Sequence, residues 1–395
     1  MLKLRAHSER EEVVMRLGEP VDPRLPWVRR LHNLDEAWNH GVSGPRLSAL
    51  EQAGLRLGDA LRAGPSVVAV RTLPLSTLLY PTKYAFQGAC RVPVPFVVMT
   101  HRALLVQVRV EGAVRNILFN PTAIDAALQT PFFRKLADRT GEWAVKNILT
   151  RRFGGVEEQL AKLGLSPADI DLIAFDHFHV QDLRPLLGAR ATGDTPEQKG
   201  LYPRALLLAP RREWEDWDNL HPLQQAWFVR HGKLGVPPER VVLTDGDLSL
   251  GPGALLLRTP GHTSGNQTLV VQTEAGVFGC SENGVAVDNW APLESRIPGL
   301  RETALLQGLD VVLNANTPES GMQQYTSMML ERSLVDRLPE QPALFQMFPS
   351  SELTASWLAP GIHPTRVLEE RTSGQVVFSQ PRHRALGQAS VLAEE

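Results

Sequence analysis

Hydrophobic and polar positions change rhythm several times along the chain, and each change marks an expected element. Leu47, Leu50, Leu57 and Leu61 recur at helical spacing with polar residues between them, which predicts a helix in an N-terminal stretch without any chemical motif. From residue 67 the texture turns to short apolar runs. Residues 67–70 predict a strand, and residues 73–98, punctuated by Pro74, Pro81, Gly88, Pro93 and Pro95, predict a loop passing over a sheet. Residues 104–110 and 117–119, with Glu111 and Gly112 between them, predict a hairpin. Helical patterning dominates residues 123–163, and Gly164 and a short capped turn then precede a strand at 172–175.

The same alternation continues beyond that strand. Residues 205–209 and 241–243 read as strands on either side of an aromatic-rich helical region containing Trp214, Trp217 and Trp227. Residues 254–257, 268–272 and 276–279, separated by glycine-containing turns, predict a meander, and 311–313 closes the strand series. A helix is expected over 323–338, then a Pro- and Ser-rich stretch from about residue 345 into a charged tail expected to fray. Alternating helices and strands define an α/β chain. Three segments are expected: an N-terminal helical extension (1–65), a main α/β domain (66–345) and a C-terminal extension (346–395).

Composition narrows the function classes. With 41 basic and 43 acidic residues among 395, the near-neutral chain offers no electrostatic footprint for nucleic acid or an anionic membrane, so a small molecule is the expected partner. Cys90 and Cys280 are the only cysteines, which excludes a disulfide framework and favours a reducing, cytoplasmic setting. The N-terminus lacks an apolar signal-peptide core, and no run approaches the roughly 18 apolar residues of a membrane span.

Chemistry concentrates in three separated stretches. Each follows an apolar run expected to be a buried strand: residues 176–182 with His177 and His179, residues 259–265 with His262, and residues 280–283 with Glu282. In an extended segment the i, i+2 pair His177 and His179 leaves one face, so one ion can bridge the two rings. Pro260 and Gly261 favour a tight turn that lifts His262 out of the sheet, and Thr263 can orient it. Asp182 lies within reach of the pair. Cys280 is read as a small buried thiol rather than a ligand, and Asp288 and Glu319 as solvated or supporting carboxylates. The remaining histidines are read as surface or structural residues. No Gly-x-Ser-x-Gly elbow and no Walker-type phosphate loop occurs.

The run Thr259-Pro260-Gly261-His262-Thr263-Ser264-Gly265 carries, without substitution, the Thr-Pro-Gly-His-Thr-x-Gly element of the metallo-β-lactamase superfamily, and residues 66–320 resemble that superfamily as a whole. The resemblance implies an αβ/βα four-layer sandwich with metal held at one rim, and hydrolysis of esters, lactones, thioesters, amides or phosphodiesters. Against the superfamily's His-x-His-x-Asp-His motif, His177 and His179 match, Gln181 stands at the Asp, and Asp182 at the third His. Glu282 falls near the bridging Asp and Asn316 near the last histidine. The resemblance thus implies a complete three-imidazole site at His177, His179 and His262. It also implies a weakened second site, for which Asp182 and Glu282 are the expected oxygen ligands and the expected acid–base groups, because the amide of Gln181 cannot accept a proton. One or two ions are expected, zinc first, with iron or manganese as alternatives.

The expected activity is attack by a hydroxide on that ion at the carbonyl carbon of a small lactone, ester or thioester. Two alternatives stand beside it: a non-haem iron oxygenase or oxidase, and a binding protein of the same fold without turnover. The N-terminal segment is expected to cover the site, to mediate homodimer formation or to extend the core.

Overall fold

The computed structural model describes residues 14–141, 150–193, 196–315, 320–368 and 370–378. Its strands are β1 (Leu17–Pro20), β2 (Arg29–Leu31), β3 (Ala69–Pro81), β4 (Phe96–Val110), β5 (Ala113–Phe119), β6 (Leu172–Ala174), β7 (Leu206–Pro210), β8 (Val241–Thr244) and β9 (Asp247–Ser249), followed by β10 (Ala254–Arg258), β11 (Gln267–Thr273), β12 (Gly276–Ser281), β13 (Arg337–Leu338), β14 (Gln341–Phe345), β15 (Met347–Pro349), β16 (Ser351–Thr354) and β17 (Thr372–Gly374). One sheet runs β1-β2-β9-β10-β11-β12-β15; the other runs β17-β3-β4-β5-β6-β7-β8, with β16 beside β4.

Strand alternation explains why these sheets stack. Successive side chains leave opposite faces. Ala254 and Leu256 of β10 therefore meet Leu172 and Ala174 of β6 and Leu208 of β7 between the sheets. Leu255 and Leu257 of β10 instead pack outward on the helices Ser43–Ala63 and Gly321–Leu334. On the other sheet Ile173, Leu207 and Ala209 face outward onto Val156 and Leu160 of the helix Val156–Lys162. Helix, sheet, sheet and helix give the αβ/βα four-layer sandwich that the superfamily resemblance implied.

The ends of the chain are woven into both sheets. β1 and β2 extend the first sheet beyond β9, and the helix Ser43–Ala63 covers its outer face. Residues 1–13 lie outside the described residues. At the other end, β15 pairs in parallel with β12 while β16 pairs antiparallel with β4. The chain therefore passes from one sheet to the other at Ser350. β17 then edges β3, and the tail from residue 379 lies outside the described residues.

Three sequence expectations need correction. Residues 73–81 are not a loop but the second half of the 13-residue β3, which accommodates Pro74 because its register with β4 shifts between Pro74 and Ser76. A proline without an N–H is tolerated at such a bulge. Residues 311–313 form no strand, although Val311, Val312 and Leu313 are buried. The aromatic-rich region is helical only over Arg211–Asp216, with a 3-10 turn at Trp217–Asn219, so Trp227 lies in turns. The hairpin of β4 and β5 forms as expected, with matched register from Leu104 against Phe119 to Val110 against Ala113.

Gly54 marks where the N-terminal helix meets Gly321–Leu334: a Cβ there would overlap Ser333 Oγ and stand 2.9 Å from Leu330 Cδ1. Gly54→Val is expected to cost about 1–3 kcal/mol through overpacking, whereas Leu55→Ala at an exposed position of the same helix changes stability by less than about 0.5 kcal/mol. Urea unfolding midpoints compare the two; equal effects would mean that this helix contact carries no stability.

Candidate metal centre

The three histidines meet where strands of both sheets end at one rim. His177 and His179 follow β6, and His262 follows β10. One ring nitrogen from each lies within 4.8 Å of the others. Ring centroids are 4.7 Å apart for His177 and His179, 4.7 Å for His177 and His262, and 5.1 Å for His179 and His262. All three side chains are buried.

Local backbone features aim these rings. After His179, Val180 takes φ 57°, a conformation costly for a β-branched residue. The amide of Val180 donates to the Trp227 carbonyl at 2.8 Å, which helps hold the turn. In the second loop Gly261 has φ 149°, and a Cβ there would overlap Gln324 of the helix Gly321–Leu334. Only glycine lets that helix approach the His262 turn so closely.

Each imidazole has one nitrogen engaged by an outer partner. His177 Nδ1 bonds Asp176 Oδ1 at 2.7 Å, His179 Nε2 bonds Gln224 Oε1 at 2.6 Å, and His262 Nδ1 bonds the Asn314 carbonyl at 3.1 Å. Such bonds fix ring orientation and tautomer, and assign the opposite nitrogens, Nε2 of His177, Nδ1 of His179 and Nε2 of His262, to a ligand. The outer partners are themselves held. Asn120 Nδ2 donates to Asp176 Oδ2 at 3.0 Å, and the Ser350 hydroxyl reaches the same oxygen. Gln324 Nε2 donates to the carbonyls of Asn314 and Asn283 at 2.7 and 3.1 Å.

Electrostatics favour the neutral form of two of the three rings. Burial, then the neighbouring His177, pushes His262 down to about 3, and burial with both neighbours pushes His179 well below the usual imidazole range. For His177 burial also acts downward, but the charge and hydrogen bond of Asp176 outweigh it and its pKa rises. Around the trio lie Asp176, Glu213 and Glu282, all buried, and none receives a hydrogen bond from a lysine or arginine among the described residues. Burial raises Glu213 to about 7, and burial followed by the Asp176 charge raises Glu282. Three imidazoles, two of them held neutral, converging among buried acids that no lysine or arginine partners among the described residues fit a divalent cation.

The expected oxygen ligands are not gathered with the histidines. Both oxygens of Asp182 go to Arg184, Oδ1 to Nε at 2.8 Å and Oδ2 to a terminal nitrogen at 2.6 Å. Asp182 is thus a partner of its own near neighbour, and the geometry does not support it as a ligand or as an acid–base group. Glu282 accepts from the Ser351 amide at 2.9 Å and stands outside the converging nitrogens, although its charge is felt at His177. Gln181 Nε2 donates to Thr122 Oγ1 at 2.9 Å, away from a base's role. Cys280 packs between the sheets with its thiol pKa raised by burial. Asp288 is buried and accepts from Ser295 and Thr365, so it is not a solvated group. Asn316 and Glu319 lie outside the described residues.

Glu213 was not foreseen as a site residue. From the helix Arg211–Asp216 its two oxygens accept the Phe178 amide at 2.6 Å and the Thr263 hydroxyl at 2.6 Å. It ties the loop between the two paired histidines to the residue after His262. Its neighbours Arg211, Arg212, Glu215 and Asp216 give it the look of an exposed charged helix, so no local signal marks it. Asp176 could have been found, because an acid directly before the first histidine at a strand end can reach that ring.

No protein-family model matches the chain, and no curated protein matches its sequence. Among solved structures the chain is similar to a probable metal-dependent hydrolase from Staphylococcus aureus, at 10% identity, covering 66% of this chain and 84% of that one, with a TM-score of 0.45. It is similar to a quorum-quenching N-acyl homoserine lactone lactonase at 18% identity, covering 62% and 87%, TM-score 0.39. A hydrolase in the beta lactamase superfamily aligns at 14% identity, covering 80% and 97%, TM-score 0.42. These overall likenesses are loose; the histidine trio and its anchors stand on the geometry of the chain itself.

His177→Ala, His179→Ala and His262→Ala are each expected to abolish stoichiometric metal in the purified protein, measured by plasma mass spectrometry. Asp176→Asn should weaken zinc binding by about 10- to 100-fold, while Asp182→Asn should leave it within about threefold. Competition with a chromophoric chelator measures both, and equal losses in the two variants would contradict the roles given to these carboxylates.

Proposed function

We propose that this chain is a metal-dependent hydrolase of the metallo-β-lactamase type, acting on a carbonyl of a small lactone, ester or thioester. The observation that carries the proposal is the convergence of one nitrogen from each of His177, His179 and His262, with the opposite nitrogens anchored by Asp176, Gln224 and Asn314. A divalent ion on this trio, zinc by donor type, supplies Lewis acidity toward a carbonyl and activates water near neutral pH.

The chain's own residues then position and exclude. Asp176, Gln224 and Asn314 keep the rings oriented, and Glu213 holds the two ligand loops in register. Trp227 and Phe228 close the flank of His179, at 6.2 and 5.0 Å between ring centroids, and restrict water there. A cavity of about 220 Å³ lined by Glu213, Gln224, Phe228 and Thr263 adjoins these anchors and suits a small substrate. Glu282, whose carboxyl is pushed up to about 8 by burial and then by the Asp176 charge, is the candidate donor of a proton to a leaving oxygen. The oxygenase alternative loses support because no carboxylate among the described residues joins the two-histidine pair: Asp182 is taken by Arg184 and Glu282 stands apart.

The test is a panel of lactone, thioester, ester and phosphodiester substrates, comparing wild type with His262→Ala. A lactone, ester or thioester should be turned over by the wild type, with kcat/KM at least about a hundredfold lower in the variant and lost on metal removal. Equal rates in the two proteins would sink the hydrolase reading, and preference for a phosphodiester would overturn the carbonyl assignment.

A further inference from the structure

The rim that carries the histidines also carries a larger cavity, of about 370 Å³, walled in part by Pro260, Ser264 and Gly265 of the His262 loop but not by His262. Its lining brings together Arg46, Arg211, Arg212 and Arg258 against one carboxylate, Asp245. These arginines come from three parts of the chain: the N-terminal helix, the helix after β7 for the adjacent pair, and the end of β10. Gathering like charges around a concave space is unfavourable unless something offsets them.

Part of the offset is internal. Arg211 pairs with Asp245 at 2.9 Å, and Arg212 stands 3.9 Å from Asp216. Arg46 and Arg258 form no ion pair among the described residues. Arg46 Nε donates to the His40 carbonyl at 2.8 Å. Arg258 lies over the Trp38 ring at 5.2 Å, and its Nε is buried without a hydrogen-bond partner. Two further features agree. The first turn of the helix Ser43–Ala63 borders the cavity at Ser43 and Arg46 and has no side-chain cap; Pro45 has no N–H and the Arg46 amide bonds the Val42 carbonyl, so the amides of Ser43 and Gly44 and the positive end of the dipole are what it offers an anion. Asn266, fully buried in the wall, has Oδ1 without a partner.

We infer that this arginine-lined cavity is a binding site for the phosphate group of a small molecule, separate from the three histidines though bordered by the same 259–265 loop and by the helices Arg211–Asp216 and Gly321–Leu334. Guanidinium groups match phosphate geometry with paired N–H donors. The inference does not rest on the hydrolase reading, since it concerns binding at other residues.

Isothermal titration of the full chain with inorganic phosphate, at constant ionic strength in chloride, tests it. Saturable binding with a dissociation constant below about 1 mM is expected, both as purified and after metal is stripped with EDTA. Arg46→Gln and Arg258→Gln should each weaken it at least about tenfold, while Arg134→Gln, on an exposed helix elsewhere, leaves it unchanged. Arg258 packs on Trp38, so the half-buried Arg46 decides the matter if Arg258→Gln melts early. Absence of saturable heat, equal affinity in Arg46→Gln, or binding that vanishes with the metal would each overturn the site.

Discussion

Three buried imidazoles whose centres lie about 5 Å apart are stable neighbours only while at most one carries a positive charge, and the protein meets that constraint by committing one nitrogen of every ring to a fixed partner. Asp176, Gln224 and Asn314 are the primary anchors, and they reach the rings from three different segments. Much of the rim serves to keep these anchors still. Burial selects the neutral form of His179 and His262, while Asp176 favours the protonated form of His177 in the absence of an ion. Without a cation the trio therefore holds at most one extra positive charge, on the ring beside the ionised carboxylate.

The anchoring is cooperative. Glu331, from the helix Gly321–Leu334, accepts Thr268, Ser281 and Asn283 on one oxygen and Trp290 on the other. Asn283 in turn faces the His262 amide through its side-chain oxygen and lends its own carbonyl to Gln324. A buried carboxylate with four partners replaces the water it lost, and the network links β11, β12 and the helix to the second loop. The same helix packs on Ser43–Ala63 through the Gly54 contact. The N-terminal segment thereby supports the wall behind His262 although it carries none of its ligands.

What was legible in the sequence was what local pattern specifies. Apolar runs leading to His177, His179 and His262 pointed to the strands and to the three histidines that converge, because a strand end and a Pro-Gly turn are local events. Pro74 misled because a bulge depends on the partner strand. Asp182 looked like an oxygen donor by reach, yet Arg184 two residues later takes both its oxygens, a competition that spacing from the histidines does not show. Glu213, Gln224 and Asn314 were invisible as anchors because each meets its partner only after distant segments pack. The terminal segments looked like additions because the strands they contribute, β1, β2, β15, β16 and β17, are only three or four residues long.

The crossing at Ser350 places a late part of the chain beneath an early one. Ser350 bonds Asp176, the carboxylate behind His177, and the strands on its two sides complete different sheets. During synthesis from the N-terminus, His177, His179 and His262 leave the ribosome long before that residue. The three histidines are therefore made early but acquire this floor only once Ser350 has emerged, so the surroundings that fix the His177 ring are completed late in folding.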